Sequence, residues 1–121
     1  MTGVLLIVDD EPDVLLLLRL TLQARGWTVE EAANGHEALE RCRRPPAPVA
    51  VVLDQRMPPG PSGLEVARTL RHEGFLAPIA LHSAYFPPDV VEQAAADGLG
   101  LIAKGNLDHL TEILPKLVDE G

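Results

Sequence analysis

Apolar residues fall along this chain in short unbroken runs, separated by longer amphipathic stretches. Val4–Val8, Val49–Leu53 and Pro78–Leu81 are continuous apolar runs, and Leu99–Ala103 is close to one. Runs of this length suit strands buried on both faces of a parallel sheet. Thr28–Ala32 is more polar and alternates weakly, as an edge strand does. Helix signals lie between the runs. Pro12, after Asp10-Glu11, marks a helix start, and Gly26 ends that helix. Asn34 is placed to cap Gly35–Arg44, which Pro45-Pro46 stops. Ser62 or Gly63 opens a third helix ending near Gly74, and Pro87-Pro88-Asp89 opens a fourth ending at Gly98. Asn106 caps a last helix, Leu107–Val118, which Pro115 is expected to kink or shorten.

Strands alternating strictly with helices imply a parallel sheet with helices on both faces. Right-handed crossovers narrow the topology further. The expected fold is a flavodoxin-like (βα)5 doubly wound α/β sheet of order 2-1-3-4-5, which makes the polar second strand an edge. No repeat, low-complexity tract or linker interrupts the pattern. One domain spanning residues 1–121 is expected.

Composition narrows the class. With 46% hydrophobic and 23% charged residues the chain reads as an ordinary globular protein. The only aromatics are Trp27, Phe75, Tyr85 and Phe86, so the core must be built from Leu, Val, Ile and Ala. A net charge of −8, with no basic stripe, argues against direct nucleic-acid binding and against an anionic membrane surface. The single Cys42 cannot form an internal disulfide, and no secretory leader is legible, so a cytoplasmic location is expected.

The residues with chemistry stand directly after the apolar strands. The first strand ends in Asp9-Asp10-Glu11, the third in Asp54, the fourth in His82-Ser83 and the fifth in Lys104. Open α/β sheets bind ligands outside the carboxyl ends of their strands, so this fold gathers three Asp, a hydroxyl and an ammonium on one rim. Taken singly, either N-terminal Asp could cap a helix, Asp54 and Ser83 could be turn residues, and Lys104 could be a solvated charge. Yet the ten basic residues include only two Lys, and one of them directly follows an apolar strand. Clustered carboxylates repel one another, and a divalent cation held by oxygen ligands, Mg²⁺ above all, relieves that conflict. His82 and Met57 read as packing residues.

The motifs Ile7-Val8-Asp9-Asp10-Glu11-Pro12, Val52-Leu53-Asp54-Gln55-Arg56-Met57-Pro58, Gly63-Leu64-Glu65, Ser83-Ala84 and Lys104 occur in this order over nearly the whole chain. In them the sequence resembles the receiver domain of two-component response regulators. The resemblance implies that Asp54 is the phosphoacceptor. It implies that Asp10 binds Mg²⁺ directly, that Asp9 holds metal-bound water, and that the backbone carbonyl of Arg56 completes the metal site with Asp54. Ser83 and Lys104 match the groups that bind the phosphoryl oxygens. The implied partners are a sensor histidine kinase or phosphotransfer protein, and an output domain or a homodimer partner. The domain modifies itself, so no enzyme in the turnover sense is implied.

Three positions depart from the family pattern. Gly105 follows Lys104 where many receivers have Pro, and Gly permits more backbone conformations. Leu101 stands where a Tyr or Phe usually rotates with Ser83 as part of the switch; it reads also as a strand-core residue, with Tyr85 and Phe86 of the fourth loop as the available substitutes. The loop Pro58-Pro59-Gly60-Pro61-Ser62 is longer and stiffer than usual. These departures motivate an alternative, a receiver-like interaction module independent of phosphorylation. A phosphatase of the haloacid-dehalogenase type would want an Asp where Arg56 stands, and a flavin site would not place acids after the first strand.

In the first helix, positions 14, 17, 18, 21 and 22 form an apolar stripe suited to the sheet. That phase leaves Leu15, Leu16 and Leu20 outward, either as scattered surface leucines or as a docking patch for a partner.

Overall fold

The computed structural model describes residues 3–120; residues 1, 2 and 121 of the expected domain lie outside the described residues. The strands are β1 (Val4–Val8), β2 (Thr28–Ala32), β3 (Ala50–Asp54), β4 (Ile79–Ser83) and β5 (Gly100–Ala103). The helices are α1 (Pro12–Gln23), α2 (Gly35–Arg43), α3 (Gly63–His72), α4 (Pro88–Ala96) and α5 (Leu107–Glu120). All strand pairs are parallel, in the order β2-β1-β3-β4-β5. This is the expected doubly wound α/β sheet.

Successive side chains of a strand point to opposite faces, so the apolar runs feed two cores. Leu6, Val8, Val51, Leu53, Ile79 and Leu81 pack beneath α2, α3 and α4. Leu5, Ile7, Val52, Ala80 and Ile102 pack beneath α1 and α5 with Trp27. The central β3 and β4 are buried at every position, which is why their sequences are unbroken. β2, on the edge, buries only Ala32 fully.

The expected caps form. Asn34 accepts the Glu37 N–H at 2.9 Å, and Asn106 accepts the His109 N–H at 3.1 Å. Ser62 and Glu65 form a reciprocal capping box at the start of α3. Pro115 does not interrupt α5, which runs to Glu120. Leu114, Leu117 and Val118 hold that last stretch against the core on either side of the proline. β4 also runs two residues further than expected and so carries His82 and Ser83 within the strand.

The expected face of α1 is corrected. Leu15 is buried with Leu18 and Leu22, while Leu17 is 51% exposed. The outward leucines are Leu16, Leu17 and Leu20. At about 100° per residue the buried face is centred between Leu15 and Leu18, roughly 60° from the expected one. A run of four leucines supports either phase. Packing decides, because Leu15 meets the cluster that α1 shares with α5 and Trp27.

Candidate functional site

The carboxyl ends of β1, β3, β4 and β5 build one lateral row. Val8 pairs with Leu53, so Asp9 and Asp54 follow together; Asp54 pairs with His82, and His82 with Ile102. Asp9, Asp54 and His82 are 0%, 2% and 3% exposed. By alternation the row lies on the sheet face covered by α1 and α5. The topology thus places two carboxylates and an imidazole in a layer whose lower tiers are apolar.

Asp9 Oδ1 accepts the Glu11 N–H at 2.9 Å, which fixes the turn into α1. Its Oδ2 is buried without a hydrogen-bond partner, although the Lys104 ammonium lies 3.3 Å away. The ammonium also lies 3.5 Å from Asp54 Oδ2 and 3.6 Å from Glu11 Oε1. Asp54 Oδ1 receives only a long contact, 3.4 Å, from the Arg56 N–H. Oxygens of Asp9, Asp10 and Asp54 converge to within 4.8 Å of one another, with Asp10 on the solvent side.

Charge balance in this cluster is incomplete. Burial pushes the Asp54 carboxyl up to about 6, repulsion from Asp9 adds to this, and Lys104 only partly opposes it. Burial opposes the charge of Lys104, but Asp54 and Asp9 outweigh it and hold the ammonium above its usual range. Burial, with Lys104 nearby, pushes His82 down to about 4. One ammonium facing three carboxylates, with Asp10 beside them, leaves negative charge uncompensated. The donor set is all oxygen, one donor is an orphaned buried oxygen, and the excess charge is negative. These features fit a small divalent cation.

Asp9, Asp10, Asp54 and Lys104, expected together, are together. Ser83 is at the neighbouring strand end but on the opposite sheet face. Its hydroxyl donates to the Tyr85 carbonyl at 3.0 Å, turned into its own loop. A cleft of about 180 Å³ opens there, lined by Gln55, Arg56, Ser83, Tyr85, Pro87 and Val90. The Arg56 side chain is exposed. Leu101 is half-buried against the core beneath α4, as is Phe86, whereas Tyr85 is 69% exposed. His82 and Met57 are buried, as expected of packing residues.

Two supports were missed by sequence reasoning. Gln55 is buried; its side-chain Oε1 accepts the Leu64 N–H at 2.8 Å and its carbonyl accepts the Gly63 N–H at 3.1 Å. It therefore ties the start of α3 to the residue after Asp54. A polar residue flanked by Asp54 and Arg56 gave no sign of burial. Glu11, assigned no role, proves to be a third carboxylate on Lys104. Its place beside Asp9-Asp10 was the available signal.

Comparisons with known proteins bear on the family and the fold. A sequence-family model described as the response regulator receiver domain matches residues 5–114. The chain is 38% identical over 107 residues to the probable transcriptional regulatory protein TcrX of Mycobacterium tuberculosis, covering 88% of this chain and 42% of that protein. It is 37% identical over 93 residues to the response regulator protein PilR of Pseudomonas aeruginosa, covering 77% and 20%. The chain therefore spans less than half the length of these curated relatives. Among solved structures, the chemotaxis protein CheY4 of Vibrio cholerae superposes with a TM-score of 0.85 at 26% identity, over 97% of this chain and 99% of that one. A CheY-like receiver domain protein of Methanospirillum hungatei gives 0.89 at 22% identity, over 99% and 96%, a likeness of fold.

Proposed function

The chain belongs to the response regulator receiver domain family, and from that premise we propose that it accepts a phosphoryl group on Asp54 and acts as a switch. One observation carries the reading: Asp54 is buried at a strand end with an ammonium 3.5 Å from its Oδ2 and two further Asp carboxylates around it. In the expected reaction an Asp54 oxygen attacks phosphorus in line, an O–P bond forms, and the P–N bond of a phosphohistidine donor breaks. Lys104 pairs with the incoming phosphoryl oxygens, and Ser83 leaves the Tyr85 carbonyl to bond them. Asp9, Asp10, Asp54 and the Arg56 carbonyl would hold Mg²⁺, which when bound neutralises charge between the two anionic reactants. The acyl phosphate places about −1.5 to −2 charges at the rim, enough to bias the Ser83 loop between two arrangements.

The donor is a sensor histidine kinase or phosphotransfer protein; the reader is an output domain or a homodimer partner. Leu16, Leu17 and Leu20 of α1 are the candidate docking patch, with Leu17 replacing Leu15. The excess negative charge speaks against direct nucleic-acid binding by this domain. Among the described residues no helix is long and apolar enough to cross a membrane. A cytoplasmic setting and one domain over residues 1–121 belong to the same reading.

Incubation with acetyl phosphate, followed by intact-mass measurement, tests it. One phosphoryl group should be gained with Mg²⁺ present, and none in Asp54→Asn. Equal labelling of the Asn variant would sink the assignment.

A further inference from the structure

His82 is buried in the row between Asp54 and Ile102, and neither of its ring nitrogens has a hydrogen-bond partner. A leucine would fill this position without stranding polar atoms, so the arrangement at rest carries a polar penalty that packing does not explain. The strand order shows what passes over it. Lys104 follows β5, while the carboxylates it pairs with end β3 and β1. Neighbouring strands lie about 4.8 Å apart, so the ammonium must cross the end of β4. The residue β4 presents on that face is His82. The Lys104 N–H is tied to the Ser83 carbonyl at 2.9 Å, which anchors the start of the stem beside β4.

We propose that His82 is a positioning residue: its ring is the floor under the Lys104 stem, and its acceptor nitrogen takes an N–H of the ammonium once Asp54 is phosphorylated. The inference rests on Asp54 being the phosphoacceptor. At rest the three N–H donors of Lys104 face Asp9, Asp54 and Glu11 at 3.3 to 3.6 Å. Once the bridging oxygen of Asp54 carries the phosphoryl group its charge moves outward, and the ammonium turns in place so that the donor that faced Glu11 meets a phosphoryl oxygen. A donor that pointed at the Asp54 carboxylate is then freed on the inner side, where the unfilled acceptor is His82. The uncharged ring suits this work, because a second cation there would repel Lys104.

The test uses the whole chain with ¹⁵N-labelled histidine and the variants His82→Leu and His82→Gln. In the wild type, the His82 ring nitrogen signals should shift when acetyl phosphate and Mg²⁺ phosphorylate the protein, and stay put with Mg²⁺ alone. His82→Leu should bind Mg²⁺ within about twofold of wild type by calorimetry, yet take up the phosphoryl group at least about tenfold more slowly. His82→Gln, which restores an acceptor, should recover to within about threefold. A Leu variant as fast as wild type, a Gln variant as slow as Leu, or ring signals that ignore phosphorylation would each overturn the inference. The ring signals need no variant, so they decide the matter if His82→Leu fails to fold. Absence of uptake by the wild type itself would overturn the phosphoacceptor reading and this inference together; normal uptake with an unaffected Leu variant overturns this inference alone.

Discussion

Gly63 packs so tightly against Asp54 that a methyl group on its Cα would lie 2.6 Å from the Asp54 carbonyl oxygen and 3.1 Å from Leu81 Cδ2. The glycine at the start of α3 therefore sets how closely that helix approaches the site, together with the two Gln55 hydrogen bonds. Gly63→Ala should push α3 away from β3, at a cost of about 1–3 kcal/mol for overpacking against backbone that cannot yield. Urea denaturation gives the stability. Phosphoryl uptake should slow as well, because Asp54 moves with its carbonyl. An Ala variant of unchanged stability would show that α3 slides freely.

Asp54→Asn should stabilise the metal-free protein. Burial and Asp9 raise the folded carboxyl from 3.8 to about 6, so its ionised form is disfavoured by folding. The folded state then holds a proton that the unfolded state has released between those two values. The wild type is therefore penalised above pH 6, and the penalty fades as pH falls toward 4. At pH 7.5, with chelator, the Asn variant should gain roughly 1–3 kcal/mol. The gain should shrink on acidification. A difference independent of pH would mean that repulsion in the cluster is relieved some other way.

Lys104→Met separates cation binding from phosphoryl binding. The ammonium occupies the space between the carboxylates that would hold the ion, 3.3 Å from Asp9 and 3.5 Å from Asp54. Its removal should leave Mg²⁺ affinity equal or higher, measured by calorimetry. Phosphoryl uptake should fall by about 10²-fold, as when one positioned charge is lost from a reacting centre. Weakened Mg²⁺ binding in this variant would show that Lys104 orders the acids instead of competing for them.

Cys42 reports unfolding. It is 7% exposed in the core beneath α2, and burial pushes its thiol up to about 11. At pH 8 the folded protein should react with Ellman's reagent only slowly, since the thiolate is the nucleophile. In denaturant the single thiol should react within the mixing time. Rapid reaction of the folded protein would place α2 among the loosely held elements.

The strand order and the caps at Asn34 and Asn106 were legible because each follows from local chemistry: apolar runs, an edge too polar to bury, Asn before a helix. The acid cluster was legible because strand ends converge in any open α/β sheet. The phase of α1 was not, because Leu15 through Leu18 satisfy two helical faces equally and only contact with Trp27 and α5 chooses between them. Gln55 and Glu11 were hidden for a related reason: their roles depend on residues across space, at Leu64 and Lys104. His82 could be read as buried, but its place beneath the path of Lys104 depends on strand order and register.

The backbone after Lys104 has its own requirement. Gly105 adopts φ +88°, and a Cβ there would meet nothing within 4 Å. Space is free, so any cost of substitution is conformational. Proline is excluded, because its ring holds φ near −65°; the position takes glycine for its left-handed turn. Gly105→Asn should cost less than about 1 kcal/mol, since Asn enters this region readily. Gly105→Pro must rebuild the turn and should cost about 2–4 kcal/mol. The turn also carries the Asn106 N–H to the Ala103 carbonyl, 3.0 Å, so it sets the start of α5 as well as the position of Lys104. Phosphoryl uptake should therefore drop in Gly105→Pro while the Asn variant stays near wild type. A Pro variant with full stability and full uptake would mean that Lys104 is positioned from β4 and its carboxylate partners, and that this turn contributes nothing to the site.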